Sequence, residues 1–427
     1  MINFWVPIAV LIVSFLLGVP IVLSIMSCGV VYLAMTGLDL SIIAEQICPN
    51  MFNSYTLLAV PMFILMASVM NTGNVTNLLF GFCKALIGKQ RGALAQVNII
   101  VSLIFSGMSG SAVADASGIG LIEVEAMKED GYDPAFSAAL TSATSTVGPI
   151  IPPSIPMVIY SMLSGASVGA LFLGGVIPGV LLCAFLSFYV AYISKKRNYP
   201  RGKKYTFREF LGYFKRAFPA VLTPVILFAG IYGGVMTPTE AGAVAALYAM
   251  IIAVFLYRSI SFRQLVEAVK NTALATGVIT LLTASSFVMS FMVAREGISG
   301  IIANWVLNIT QNKYLLLLVI NLVFLMLGMV LDISVIQYVF IPLVLPIVVA
   351  LGINLVHFGV VIVLNMMIGL STPPFGMCLF VSSSLAKAKL DRVSKQIIPM
   401  ILVMILMLFI LCYVPVLVTW LPGLLGF

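Results

Sequence analysis

An all-α, membrane-spanning fold is predicted by three observations. The chain's 427 residues are 62% hydrophobic and 8% charged, with a mean hydropathy of +1.17, a composition foreign to soluble domains. Apolar runs of roughly 20 residues recur between short polar joints, the length a helix needs to cross a ~30 Å hydrocarbon core. Two of these runs carry proline pairs, Pro152-Pro153 in GPIIPPS (148–154) and Pro373-Pro374 in GLSTPPFG (369–376). Proline lacks a backbone donor and clashes with the preceding turn, so each pair must break its helix. Bare backbone groups cost several kcal/mol each in hydrocarbon, so such breaks are tolerated only around a protein-lined or watery cavity. Two in corresponding places predict a central binding site of the kind found in secondary transporters.

The same composition excludes other classes. A net charge of +8 suggests nucleic acid, yet nine of the 22 basic residues fall between Lys195 and Arg216, the clustering expected of a cytoplasmic loop. Cys28, Cys48, Cys83, Cys183, Cys378 and Cys412 stand singly, without CxxC spacing, and read as free thiols. The lone His357 builds neither a metal site nor a triad. No GxxxxGK[ST] loop supports an ATP-driven pump. Met1 to Met26 lacks a basic n-region and a small-residue cleavage site, and is read as mature sequence.

In order, 4–18 and 20–35 form two short crossings around a Gly-Val-Pro break, followed by a polar joint over 36–53 and a third crossing over 55–70. Residues 78–130 are apolar with a small-residue centre, SGMSGSAVADASGIG (106–120), and basic flanks at Lys84, Lys89, Arg91 and Lys128. Both ends look cytoplasmic, so the segment is predicted to be a re-entrant hairpin. Asp133-Pro134 caps and opens a helix that runs through the first break to about 163, and 168–193 returns to the basic loop. There, Lys/Arg alternate with Tyr205, Phe207, Phe210, Leu211 and Phe214, predicting an interfacial helix over 194–216.

The second half crosses over 218–235 and restarts at Thr237-Pro238-Thr239-Glu240, a capping box that favours a structural role for Glu240 over that of a proton carrier. Crossings follow over 241–257 and 271–293. Residues 301–352 form a second interrupted hairpin, with Gly328 and Asp332 at its centre, and 355–385 holds the second break. A last crossing spans 397–421. Arg295-Glu296 reads as an anchor at the outer boundary, with attraction of an acidic solute by Arg295 as the alternative.

The proline pairs lie 221 residues apart, and the same offset carries Gly107-Met108 onto Gly328-Met329 and Ser111 onto Asp332. An offset of 224 takes Gly73 to Gly297 and Leu78 to Ile302. Residues 1–193 and 217–427 therefore read as two repeats joined by 194–216. Each holds five crossings and a hairpin, about ten crossings in all. Five is odd, so the repeats are inverted: the first hairpin enters from the cytoplasm, the second from outside, and both termini fall outside. Basic residues near 84–91, 195–216, 258–270 and 387–395 agree.

Hairpin tips and helix breaks expose backbone near the midplane. Carbonyls and Ser/Thr oxygens suit a hard cation such as sodium, and the amino ends of half-helices favour an anionic substrate group. The oxygens on offer come from Ser106, Ser109 and Ser111 with Gly148 and Ile151, and from Gly328, Asp332, Gly369, Thr372 and Met377. Small residues also let helices pack closely, and that bland role competes at each position. Asp115 and Asp332 are intramembrane carboxylates, functional by default, with a hairpin-tip cap as the equal alternative for either.

SGSAVADASG (109–118), GPIIPPS, MTPTEAGAVAALYA (236–249) and GLSTPPFGMCLF (369–380), in this order, resemble the large membrane subunit of tripartite ATP-independent periplasmic (TRAP) transporters, over essentially the whole chain. The resemblance implies a sodium-driven importer of organic acids in the bacterial inner membrane, both termini periplasmic, working by an elevator motion of the hairpin-bearing domain. It implies two partners, a small four-helix membrane subunit and a periplasmic substrate-binding protein. Sodium ions are then the coupling ions, at the two oxygen sets named above, and substrate lies between Pro152, Pro153, Ser154 and Thr372, Pro373, Pro374, with Asp115 nearby. Family substrates include C4-dicarboxylates, sialic acid and sugar acids, and overall likeness leans to sialic acid. The nearest rival is a partner-independent sodium- or proton-coupled exchanger, expected to carry carboxylates in the breaks themselves, where this chain has none. A channel needs a continuous pore, and an enzyme a nucleophile or metal cluster that the spacing does not offer.

Overall fold

The computed structural model describes residues 2–72, 75–298, 300–301 and 312–427. Among them the regular structure is helical, with an isolated bridge between Arg91 and Arg201. Gly73 and Ile302 of the repeat alignment, and the start of the second hairpin over 302–311, lie outside the described residues.

The first half runs α1 (Ile2–Leu16), α2 (Ile21–Thr36), α3 (Ser41–Asn53), α4 (Ala59–Thr72), α5 (Val75–Ile87), α6 (Ala93–Ser109), α7 (Ala112–Ser117), α8 (Ile119–Glu129), α9 (Pro134–Ser145), α10 (Ile155–Ser164) and α11 (Val168–Lys196). The second runs α12 (Phe207–Tyr232), α13 (Pro238–Ile251), α14 (Phe262–Arg295), α15 (Lys313–Gly328), α16 (Ile333–Ala350), α17 (Leu355–Leu370), α18 (Met377–Ala386), α19 (Leu390–Tyr413) and α20 (Val416–Leu424). Among the described residues, seven helical spans are long and apolar enough to cross a bilayer. The remaining apolar helices are shorter, as broken crossings and hairpin arms must be.

Local chemistry sets the boundaries. Thr237 and Glu240 form the reciprocal box expected of them, Thr237 N donating to Glu240 Oε2 at 2.8 Å. Asp133 caps α9, accepting from Ala135 N at 3.0 Å. Asn354, 221 residues later, caps α17 by accepting from Val356 N at 2.8 Å and His357 N at 3.0 Å. Ser111 caps α7 and Asp332 caps α16, again 221 residues apart.

Three expectations are corrected. The polar joint 36–53 contains α3, whose polar residues alternate with Ile42, Ile43 and Ile47. The interfacial helix 194–216 does not exist as a unit: residues 197–206 are irregular, and 207–216 are the opening turns of α12. A second capping box, Thr206 with Glu209, starts that helix, and Phe210 and Phe214 pack their rings on Phe82 of α5 at 5.9 and 5.7 Å, turning those two rings toward protein while Phe207 and Leu211 stay exposed. The hairpin read over 78–130 is α6 to α8 alone, because α5 ends before a turn at 88–92 and stands apart as its own helix.

The two halves interlock. The exit helix of the second break, α18, packs on α7, α8 and α9, while α16 packs on α10 of the first break. Alongside them, α14 lies against α2 and α4, α13 against α4, and α12 against α5 and α13. The hairpins and broken helices therefore form one layer, and α2, α4, α5, α12, α13 and α14 the wall facing it.

Candidate functional site

The first break spans Thr146 to Ser154 and is buried throughout. Ser154 closes it: its hydroxyl donates to Pro149 O at 2.5 Å and its oxygen accepts from Met157 N at 3.3 Å, so one side chain satisfies a loose carbonyl and caps α10. Ile155 N donates to Gly110 O at 3.4 Å, joining the break to the α6–α7 tip. Asp115, on α7, is buried, hydrogen-bonded to the Ser109 hydroxyl, and its Oδ2 has no partner. That oxygen lies against Gly148, where any side chain would collide with it. Ser109, Asp115 and Gly148 are thus brought together. The Ser106 hydroxyl turns to Leu103 O at 2.6 Å, and Ile151 packs beneath α11 at Gly179.

The second break, Ser371 to Gly376, is built differently. Thr372 Oγ1 donates to Ile368 O at 2.6 Å and Gly376 N to Met329 O at 3.2 Å, but no side chain caps α18. Gly369 lies so close to Gly328 that an added Cβ would stand 2.7 Å from its backbone. Pro374 is exposed, with Phe375 at 66%, Met377 at 43% and Phe380 at 63% exposure. Gly328, Gly369 and Thr372 are brought together, Met377 faces outward, and Asp332 sits at the α16 tip. Both proline pairs are joined by cis peptide bonds. The second break touches α9, the helix that leads into the first, through Ser371, whose hydroxyl donates to Ser142 O at 2.7 Å and accepts from Ser142 Oγ at 3.2 Å.

Between the layers lies a cavity of about 930 Å³, mouth included. The hairpin-bearing layer gives it residues 109–114, Pro149, Ile155, Pro156, Asp332, Ile333, Ser334, Met367 and Leu370, and the wall gives Ile64, Ala67, Ser68, Asn71, Ala275 and Ile279. Asp115, Pro152, Pro153, Ser154 and Thr372 to Pro374 do not line it; the first four are buried behind it. The two carboxylates left equal by the sequence separate here. Asp332 is a cap, its Oδ1 accepting from Ser334 N at 2.8 Å, whereas Asp115 caps nothing. Because Asp115 reaches Gly148 from a neighbouring helix, a carboxylate does stand at the first break although none is written into it.

Sequence reasoning missed Ser68 and Asn71, on an α4 that reads as an ordinary crossing, and the buried Glu123 of α8, hidden in the polar run EVEAMKED. Asn71, whose Oδ1 has no partner, carried the available hint as an amide at the end of an apolar helix.

Residues 8–417 match the family described as "Tripartite ATP-independent periplasmic transporter, DctM component". The chain belongs to that family. The chain is 39% identical over 408 residues, 95% of each chain, to the "Sialic acid TRAP transporter large permease protein SiaM" of Vibrio cholerae. It is 36% identical to the "Sialic acid TRAP transporter permease protein SiaT" of Haemophilus influenzae over 99% of its own length and 69% of that longer protein, and 35% identical, over 87% of each, to the "C4-dicarboxylate TRAP transporter large permease protein DctM" of Pseudomonas aeruginosa. In fold it is similar to the Alcanivorax borkumensis YdaH transporter, with a TM-score of 0.64 at 14% identity over 87% of this chain and 86% of that one. The resemblance carried by the four motifs is borne out, and the chain is a multi-pass membrane protein of a transporter family.

Proposed function

We propose that this chain imports an organic acid, of the sialic acid or C4-dicarboxylate class named for its relatives, driven by a sodium gradient. The observation that carries the reading is the cavity between the layers. The amino ends of α7, α10 and α16 meet there, at 112–114, Ile155 and Ile333, and helix amino ends attract carboxylates. Sodium is assigned to the two tip-and-break junctions, Ser109, Asp115 and Gly148 at one, Gly328, Gly369 and Thr372 at the other. Support comes from oxygen: the unpartnered Asp115 Oδ2 at the first, and Asn365 Oδ1, unpartnered one turn before the second. Unsatisfied buried acceptors suit a cation.

Movement of the hairpin-bearing layer past the α4–α14 wall would carry the cavity from one face to the other, as an elevator. The chain would sit in the inner membrane with periplasmic termini, beside a small four-helix subunit, and receive substrate from a periplasmic binding protein. Reconstitution tests this: sialic acid or succinate uptake into proteoliposomes is expected only with an inward sodium gradient, binding protein and small subunit together. Uptake indifferent to sodium overturns the coupling. The Asp115 carboxylate at Gly148 favours, as a second reading, a partner-independent exchanger, and equal uptake without the binding protein would establish it.

A further inference from the structure

The α6–α8 hairpin holds a carboxyl that neither the cavity nor the breaks use. Glu123 is 0% exposed. Its Oε1 accepts weakly from Ser102 of α6 at 3.5 Å, and its Oε2 has no hydrogen-bond partner. Thr141 of α9 stands beside the same carboxyl and is held there by a relay: Thr144 Oγ1 donates to Asn98 Oδ1 at 2.7 Å, and Asn98 Nδ2 donates to Thr141 Oγ1 at 2.8 Å. With its oxygen already accepting from Asn98, the Thr141 hydroxyl keeps its own proton to give.

The charges around Glu123 make the site unusual. Asp115 of α7 adds a like charge, and among the described residues the polar partner of the Glu123 oxygens is the neutral Ser102 hydroxyl, not a cation. Cys83 of α5 is within electrostatic reach. On α18, Cys378 lies near Asp115. Lys128, farther along α8, gives its ammonium to Ala386 O at 3.1 Å. An ionised carboxylate sealed from water without a counter-charge is strongly disfavoured, and in a membrane protein such a group marks an ion or proton position. Sodium needs oxygens on all sides, whereas the side-chain hydroxyls that meet Glu123 among the described residues are those of Ser102 and Thr141. A proton needs one oxygen, and Oε2 is vacant of partners.

We propose that Glu123 is a proton-binding site, taking a proton from bath water onto Oε2 and holding it while the hairpin is closed. Ionisation then places an uncompensated charge between α6, α8 and α9, and loosens the hairpin that forms the first tip-and-break junction. The transport half of this consequence rests on the proposed function; the proton itself does not.

Two measurements on the reconstituted complex test it. Infrared spectra at about pH 8 are expected to contain the carbonyl stretch of a protonated carboxylic acid that moves on isotope-labelling of glutamate, disappears in Glu123→Gln and persists in Asp115→Asn. Its absence from the labelled wild type, or its survival in Glu123→Gln, overturns the proposal, and the wild-type labelling decides even if the variant does not fold. Uptake should fall roughly threefold or more as the bath rises from about pH 6 to about pH 9 in the wild type and stay within about twofold in Glu123→Gln, whose amide imitates the protonated acid. Superimposable alkaline limbs overturn it too. A wild type that takes up no acid under any sodium gradient removes the transport reading and leaves the infrared result standing.

Discussion

The two helix breaks share a proline pair and the same place in their halves, yet they settle their loose backbone in opposite ways. The first is sealed: every residue from Thr146 to Ile155 is buried, and Ser154 supplies both a donor for Pro149 O and a cap for α10. The second is open: α18 starts without a side-chain cap, and Phe375, Met377 and Phe380 face outward. A sealed break behaves as fixed geometry against which a hairpin can be read, and an open one has backbone to spare for a ligand or a neighbouring surface. The difference predicts that substitutions in the first will register mainly as stability or all-or-none loss, and in the second as graded changes in ion dependence.

The largest effect should come from Gly148→Leu, which drives a side chain into the Asp115 carboxyl. Uptake is expected to vanish, with a lowered melting temperature from overpacking of about 1–3 kcal/mol; normal uptake would show that the seal is not needed. Gly369→Leu meets the Gly328 backbone instead, and is expected to cut uptake more than about tenfold and raise half-saturating sodium, with membrane insertion intact. Thr372→Ala should raise half-saturating sodium by about fivefold, the equivalent of about 1 kcal/mol. An unchanged sodium curve would mean that Thr372 only ties its own helix through Ile368 O. Ser154→Ala should cost about 1 kcal/mol in unfolding and leave sodium dependence alone; a shift there would erase the contrast between the breaks. Smallest of all, Phe375→Ser should change stability by less than about 0.5 kcal/mol, because its ring is largely exposed.

What the sequence disclosed was local. Proline pairs, the Thr237–Glu240 box, the Asp133-Pro134 opening and the hairpin centres are written in a few adjacent residues, and the structure shows each element where they fall. What it concealed depends on neighbours distant along the chain. Asp115 and Asp332 look alike in apolar surroundings, but only Asp332 stands at a helix start with a free amide two residues on. The aromatic stripe of 205–214 has the pattern of an interfacial helix, and only the position of Phe82 reveals a protein partner for it. Pro152 to Ser154 are conspicuous as residues, whereas the cavity surface is made by Pro149, Ile155 and Pro156 on either side of them. Glu123 shares its run with Glu125 and Glu129, and which of the three turns inward is fixed by α6 and α9, not by its own helix.

Ser142 and Ser371 have a mechanical meaning. Each is fully buried, and together they form a short clasp between halves that are otherwise far apart along the chain. Pulling the clasp open in a dry interior would strand both hydroxyls at a cost of about 1–3 kcal/mol apiece, so a displacement of either interruption is resisted by the other half of the chain.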